Sequence, residues 1–181
     1  MPTALLLIDV IHPFAFDGAE DLLAHAGPAA DALAGLARRA RAAGVPVVYV
    51  NDHFSHWTES FDTLVERCLQ PDAAGRHVVE PLRPVDGDYH VLKPKNSGFY
   101  QTPLDTLLAE LGADTLILGG FATDICVLAT ALDASMREFD LVVPQDACAA
   151  ESDEAHQLTL AYVRRVLHAE TPPASAVSFG A

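Results

Sequence analysis

Five short stretches of the chain are almost wholly apolar: residues 4–9 (ALLLID), 45–50 (VPVVYV), 89–93 (YHVLK), 114–120 (DTLILGG) and 140–144 (DLVVP). A strand with one wet face alternates apolar and polar side chains. These stretches do not, so they predict strands covered on both sides. Between them the apolar positions recur at helical spacing. The first such segment covers about 28–43, with Leu33, Leu36 and Ala37 on one face and Gly44 as its stop. Others follow at about 59–69, 102–112, 123–137 and 152–168. Pro103 suits a first helical turn, and Ser152 with Asp153 and Glu154 suits a capped, dipole-matched start. Strand and helix alternate, which predicts an α/β architecture with a mostly parallel sheet between two helical layers. Residues 71–88, rich in Pro, Gly and Asp, predict a long surface loop. No repeat or linker divides residues 1–181, so one domain is expected.

Composition narrows the partners. The chain has 181 residues, half of them apolar, and a formal net charge of −14 without any run of Lys or Arg. That balance disfavours nucleic acid phosphates and anionic membranes and leaves small molecules or further copies of the chain. The opening MPTALLLIDV lacks a basic leader and is too short an apolar stretch for a signal or a membrane span, so a cytoplasmic location is expected. Cys68, Cys126 and Cys148 form no C-x-x-C pair, and each is weighed as a lone thiol.

In an open parallel sheet, ligands bind beyond the carboxyl ends of the strands, so the residues that close the apolar runs are the candidates for chemistry. Asp9 closes the first run; a carboxylate there either caps and pairs structurally or works in a site. Lys93 closes the third, where a solvated edge lysine is the plain alternative. Cys126 follows the fourth, in GGFATDICVLATALDAS. With Thr123 as a helix cap it falls in the first helical turn, where free amides and the dipole favour a thiolate. It also lies on an apolar helix face and could simply fill the core. Together, a carboxylate to take the thiol proton and an ammonium to hold the resulting charge make a coherent nucleophilic site. The first strand is not followed by G-x-G-x-x-G, which sets aside a dinucleotide-binding dehydrogenase. Cys68, Cys148, His156 and His168 read as packing residues.

The segments LLLIDV, VLKPKNSGF and LGGFATDICVLATALDA resemble the isochorismatase-like cysteine hydrolases, a superfamily that includes nicotinamidases and N-carbamoylsarcosine amidohydrolases. The resemblance runs over almost the whole chain, and its specific part is the G-x-x-T-[ND]-x-C-V stretch. It implies a three-layer α/β/α, Rossmann-like fold with about six strands and a catalytic triad of Asp9, Lys93 and Cys126. It further implies an oxyanion hole of the Ala122 and Cys126 backbone amides and a cis peptide between Phe121 and Ala122. If Thr123 caps the helix, its hydroxyl bonds the Ile125 amide and leaves that of Cys126 for the substrate oxygen.

Two departures stand out. Where the family commonly has glutamine after the first strand this chain has Ile11, so a more apolar pocket is expected there. Nicotinamidases hold a divalent metal with an aspartate and a histidine two positions later; here Asp52 aligns, but Phe54 takes the histidine's place. Asp52, His53 and His56 remain as metal candidates, although loop histidines are commonly solvated, and no cofactor is expected. Phe14, Phe54, Trp57, Phe99, Tyr100 and Phe121 either line the pocket or serve in small-core or subunit-interface packing. The expected activity is hydrolysis of a small amide or carbamoyl compound through a thioester, in a homodimer or larger homo-oligomer. Isochorismatase-type hydrolysis of another metabolite, a redox-active single-cysteine enzyme and a non-catalytic binding protein are the alternatives.

Overall fold

A computed structural model describes residues 2–54 and 56–179 of the chain. Six strands form one sheet: β1 (Thr3–Ile8), β2 (Val47–Asp52), β3 (Tyr89–Lys93), β4 (Thr115–Phe121), β5 (Asp140–Val142) and β6 (Cys148–Ala149). Every pairing is parallel, in the order β3-β2-β1-β4-β5, with β6 pairing the last residues of β4 beyond β5. The expected strands are all present; β6 is the one that no apolar run announced.

Helices cover both faces, as the unbroken apolar runs require. Leu5, Leu7 and Tyr49 face a cluster built with α1 (Ala19–Ala42), α2 (Phe61–Cys68) and α3 (Arg76–Val79). Leu6, Ile8, Val48 and Val50 face the other, built with α4 (Leu104–Glu110), α5 (Leu128–Met136) and α6 (Asp153–Val166). Among the described residues no helix is long and apolar enough to cross a membrane.

Two boundaries differ from the sequence expectation. Helix α1 starts at Ala19 and runs through Pro28, whereas the periodicity placed its start at residue 28. A proline inside a helix costs about 3 kcal/mol, but Leu22, Ala26, Ala29, Ala30 and Leu33 are buried on both sides of it, so docking one continuous stripe on the sheet outweighs that cost. The expected loop 71–88 contains α3 and a short 3₁₀ turn (Glu80–Leu82), whose Val78, Val79 and Leu82 enter the core.

Strand register positions the chemistry. Ile8 pairs with Val50 on one side and Gly120 on the other, and Asp52 pairs with Lys93. Four neighbouring strands therefore end at one level, which brings Asp9, Asp52, Lys93 and the turn after Phe121 side by side.

Candidate active site

Asp9 leaves β1 with φ 50°, in the left-handed region that Asp tolerates better than most residues. Its amide still donates to the Val50 carbonyl at 3.1 Å, and its Oδ1 accepts the Asp52 amide at 2.6 Å. Its Oδ2 lies 2.8 Å from the Nζ of Lys93, which is fully buried. The ammonium also donates to the Lys95 carbonyl at 3.1 Å, lies 3.7 Å from Asp52 Oδ2 and reaches Cys126 Sγ at 3.5 Å. The three residues expected from the strand ends thus meet, and Asp52 joins them as a second carboxylate on the same cation.

Cys126 is delivered by a sharp turn. Gly120 has φ 129°, and a Cβ there would stand 2.0 Å from the Ile8 carbonyl oxygen, so β4 approaches β1 in a way open only to glycine. The Phe121–Ala122 peptide is cis, as the resemblance implied. Residues Thr123–Val127 form a π-type turn, in which the Ile125 and Val127 amides both donate to the Ala122 carbonyl at 3.2 Å, before α5 begins. Cys126 is half-buried at this turn. Its carbonyl accepts from the hydroxyl of buried Thr130 at 2.7 Å, and that hydroxyl's oxygen in turn accepts the Gly98 amide at 3.0 Å. One hydroxyl therefore ties the cysteine's turn to the loop that follows Lys93. That loop needs glycine at 98, because a Cβ would lie 2.6 Å from Val50 Cγ1.

Thr123 does not act as the expected cap. Its hydroxyl lies 2.8 Å from His156 Nδ1, whose Nε2 lies 2.9 Å from the Gln145 carbonyl. A carbonyl only accepts, so Nε2 donates to it and Nδ1 receives the Thr123 hydroxyl. His156, read from the sequence as packing, thus anchors the turn from α6, and the Ala122 carbonyl takes the Ile125 amide that Thr123 was expected to hold.

Burial sets the resting protonation. It pushes the Cys126 thiol up to about 12, and the Asp9 charge adds to this while Lys93 opposes it. Despite a position at the helical turn that favours a thiolate, the sulfur keeps its proton at neutral pH. Burial also raises the Asp9 carboxyl, with Lys93 again opposing. Burial works to lower Lys93, but Asp9, Cys126 and Asp52 outweigh it and leave its pKa raised. The arrangement is a protonated thiol beside a carboxyl of raised proton affinity, both fixed by a permanently charged ammonium. Such a pair can pass one proton back and forth.

Around this centre, Ile11 is buried in the core and does not line a more apolar pocket. Asn51, fully buried, holds the segment after Asp9 by accepting the Ile11 amide at 3.0 Å and donating to the Ile11 carbonyl at 2.9 Å. Neither Asn51 nor Thr130 was legible as a site residue, because each acts through backbone groups distant in sequence. Phe14 and Phe54 pack on His12, with ring centroids 4.5 and 4.6 Å away. Phe99 and Phe121 are buried in the two core clusters, and Tyr100 is exposed. Trp57, 76% exposed, packs on the ring of His53.

The metal-binding pattern of nicotinamidases does not fit these residues. Asp52 turns its Oδ2 to Lys93 and its Oδ1 to the Phe54 amide at 2.6 Å, and phenylalanine offers no ligand at the second position. His53 has both ring nitrogens buried without a partner, but among the described residues no three His, Cys, Asp or Glu side chains gather to hold an ion.

Comparison with known proteins places the chain in a family. Residues 3–171 match the family model of the isochorismatase domain. The isochorismatase family protein YaaI of Bacillus subtilis is 38% identical over 167 residues, covering 92% of this chain and 91% of that protein. The ureidoacrylate amidohydrolase RutB of Methylorubrum extorquens is 32% identical over 171 residues, covering 80% of this chain and 68% of that enzyme. The crystal structure of N-carbamoylsarcosine amidase from Thermoplasma acidophilum superposes with a TM-score of 0.74 at 33% identity, covering 99% of this chain and 100% of that one. With a family match over nearly its whole length and the same parallel α/β sheet beneath it, the chain belongs to the isochorismatase family.

Proposed function

We propose that this chain is a cysteine-dependent hydrolase that cleaves the C–N bond of a small amide or carbamoyl compound. The observation that carries the reading is the position of Lys93 Nζ, 2.8 Å from Asp9 Oδ2 and 3.5 Å from Cys126 Sγ, inside the protein. Relatives named as a ureidoacrylate amidohydrolase and an N-carbamoylsarcosine amidase support the same bond type.

In this proposal Asp9 takes the thiol proton as the sulfur attacks the carbonyl carbon, so no free thiolate has to exist beforehand, in keeping with a thiol pKa near 12. Negative charge passes to the carbonyl oxygen, which the backbone amides of Ala122 and Cys126 receive; a donor of this kind contributes about 3 kcal/mol. The C–N bond then breaks, Asp9 protonates the departing amine, and a thioester remains on Cys126. Water attacks that thioester while Asp9 takes its proton, and the acid leaves as the proton returns to sulfur. Lys93 keeps its charge throughout and holds Asp9 in place. No metal enters any step.

The high thiol pKa favours this chemistry over a redox role, since oxidation follows thiolate character. A cytoplasmic homo-oligomer, dimer or larger, belongs to the same proposal. Leu158, Tyr162 and Val166, exposed at one-turn spacing along α6, offer an apolar strip for a second copy.

The test is a panel of small amides and ureido compounds, assayed for ammonia release with and without a chelator, with mass spectrometry of quenched enzyme. An acyl adduct on Cys126, lost together with turnover in Cys126→Ala and indifferent to the chelator, is the expected result. Full activity in the Cys126→Ala protein rules the mechanism out.

A further inference from the structure

One imidazole close enough to Lys93 and Asp52 to feel their charges has no role in the chemistry above. His12 follows Asp9 by three residues, and its Nδ1 accepts the Phe14 amide at 2.8 Å, which places the ring proton on Nε2. The ring is walled by Phe14, Phe54 and Phe16, with centroids 4.5, 4.6 and 5.6 Å away. Phe14 leads on to Phe121 of the cysteine's turn, at 6.5 Å. Among the described residues nothing accepts the Nε2 proton, and Nε2 is not among the sealed, unpartnered nitrogens. Burial, aided by Lys93 and opposed by Asp52, holds the imidazole at about 4, so it is uncharged at neutral pH.

The surrounding charges restrict what this donor can meet. Segments 9–18, 51–59, 93–103 and 121–127 frame the site and contain no arginine. Lys93 is committed to Asp9 and Asp52, and Lys95 is exposed. A substrate carboxylate entering here would shed water beside two carboxylates, and the buried cation they share is already committed to them. An uncharged acceptor suffers neither cost and gains a hydrogen bond in an aromatic wall.

Building on the hydrolase reading, we propose that His12 is a specificity residue: its Nε2–H selects uncharged amide or ureido substrates that present a hydrogen-bond acceptor to the aromatic wall, and the site disfavours those carrying a carboxylate.

The experiment measures binding to the Cys126→Ser protein by calorimetry, which does not require turnover. Nicotinamide and benzamide differ by one ring acceptor; N-carbamoylsarcosine and its methyl ester differ by one charge. Nicotinamide is expected to bind about tenfold more tightly than benzamide, the effect of one net hydrogen bond, and the ester at least tenfold more tightly than the free acid. His12→Asn keeps an acceptor for the Phe14 amide, two residues on, while deleting Nε2. It should bring the nicotinamide preference within twofold, and His12→Phe, which retains the aromatic wall, should do the same. Equal binding of nicotinamide and benzamide, no binding of either, survival of the preference in His12→Asn, or an acid that binds as tightly as its ester overturns the proposal. A preference that collapses in His12→Asn while wild-type enzyme never forms a Cys126 adduct leaves His12 as the recognition residue and refutes the hydrolase reading instead.

Discussion

Replacing Lys93 by Met keeps the buried stem and deletes the charge, and its cost can be bounded from the site itself. The Asp9–Lys93 pair at 2.8 Å is worth about 6 kcal/mol of attraction at an effective dielectric near 20, offset by the desolvation of two buried ions. Removing one member of such a pair characteristically costs about 3–5 kcal/mol, because the other is left charged in the interior. Asp9 can escape by taking up a proton, and that sets the ceiling. Starting from its ordinary value of 3.8, protonation costs about 6 kcal/mol at pH 8 and about 2 kcal/mol at pH 5.5. The sign follows: without Lys93 the folded-state pKa of Asp9 rises further, so the folded protein binds the proton more strongly than the unfolded one. Stability relative to wild type then falls as pH rises through that window. Urea unfolding followed by circular dichroism should give a loss of about 3–5 kcal/mol at pH 8 and no more than about 2 kcal/mol at pH 5.5. Adding Asp9→Asn should restore much of the loss at pH 8, because it removes the buried carboxylate that lost its partner. A cost below about 1 kcal/mol at pH 8, or one equal at both pH values, would refute the buried-pair argument.

Two further outcomes follow from the site. Burial pushes Cys126, Cys68 and Cys148 up to about 12, 11 and 12 respectively, so absorbance at 240 nm should show no thiolate below about pH 9; a thiol titrating below pH 7 would contradict the proton-transfer step proposed for Asp9. Thr130→Val fills the same volume but leaves the Cys126 carbonyl and the Gly98 amide without their shared partner. A loss of about 2–4 kcal/mol in urea and at least a tenfold fall in kcat are expected, both largely recovered in Thr130→Ser; unchanged kcat in the valine variant would show that this tie does not position the cysteine.

Much of this protein can be read from one dimension. Unbroken apolar runs announce a sheet covered on both faces, and the residues that close or closely follow those runs, Asp9, Lys93 and Cys126, are the ones that converge, because parallel strands in register end at one level. The π-turn escapes such reading: the cis bond came only from family resemblance, and the anchoring of Thr123 by His156 joins residues 33 positions apart. Helix α1 escapes it as well, since local rules stop a helix at Pro28 and only docking against the sheet carries it through. Protonation lies furthest from the sequence. A cysteine at the start of a helical segment suggests a thiolate when the dipole is weighed alone, yet burial beside Asp9 makes it a thiol. Strand formation and strand ends follow from the order of side chains along the chain, whereas desolvation and charge coupling depend on distances between segments that meet only when the sheet is assembled.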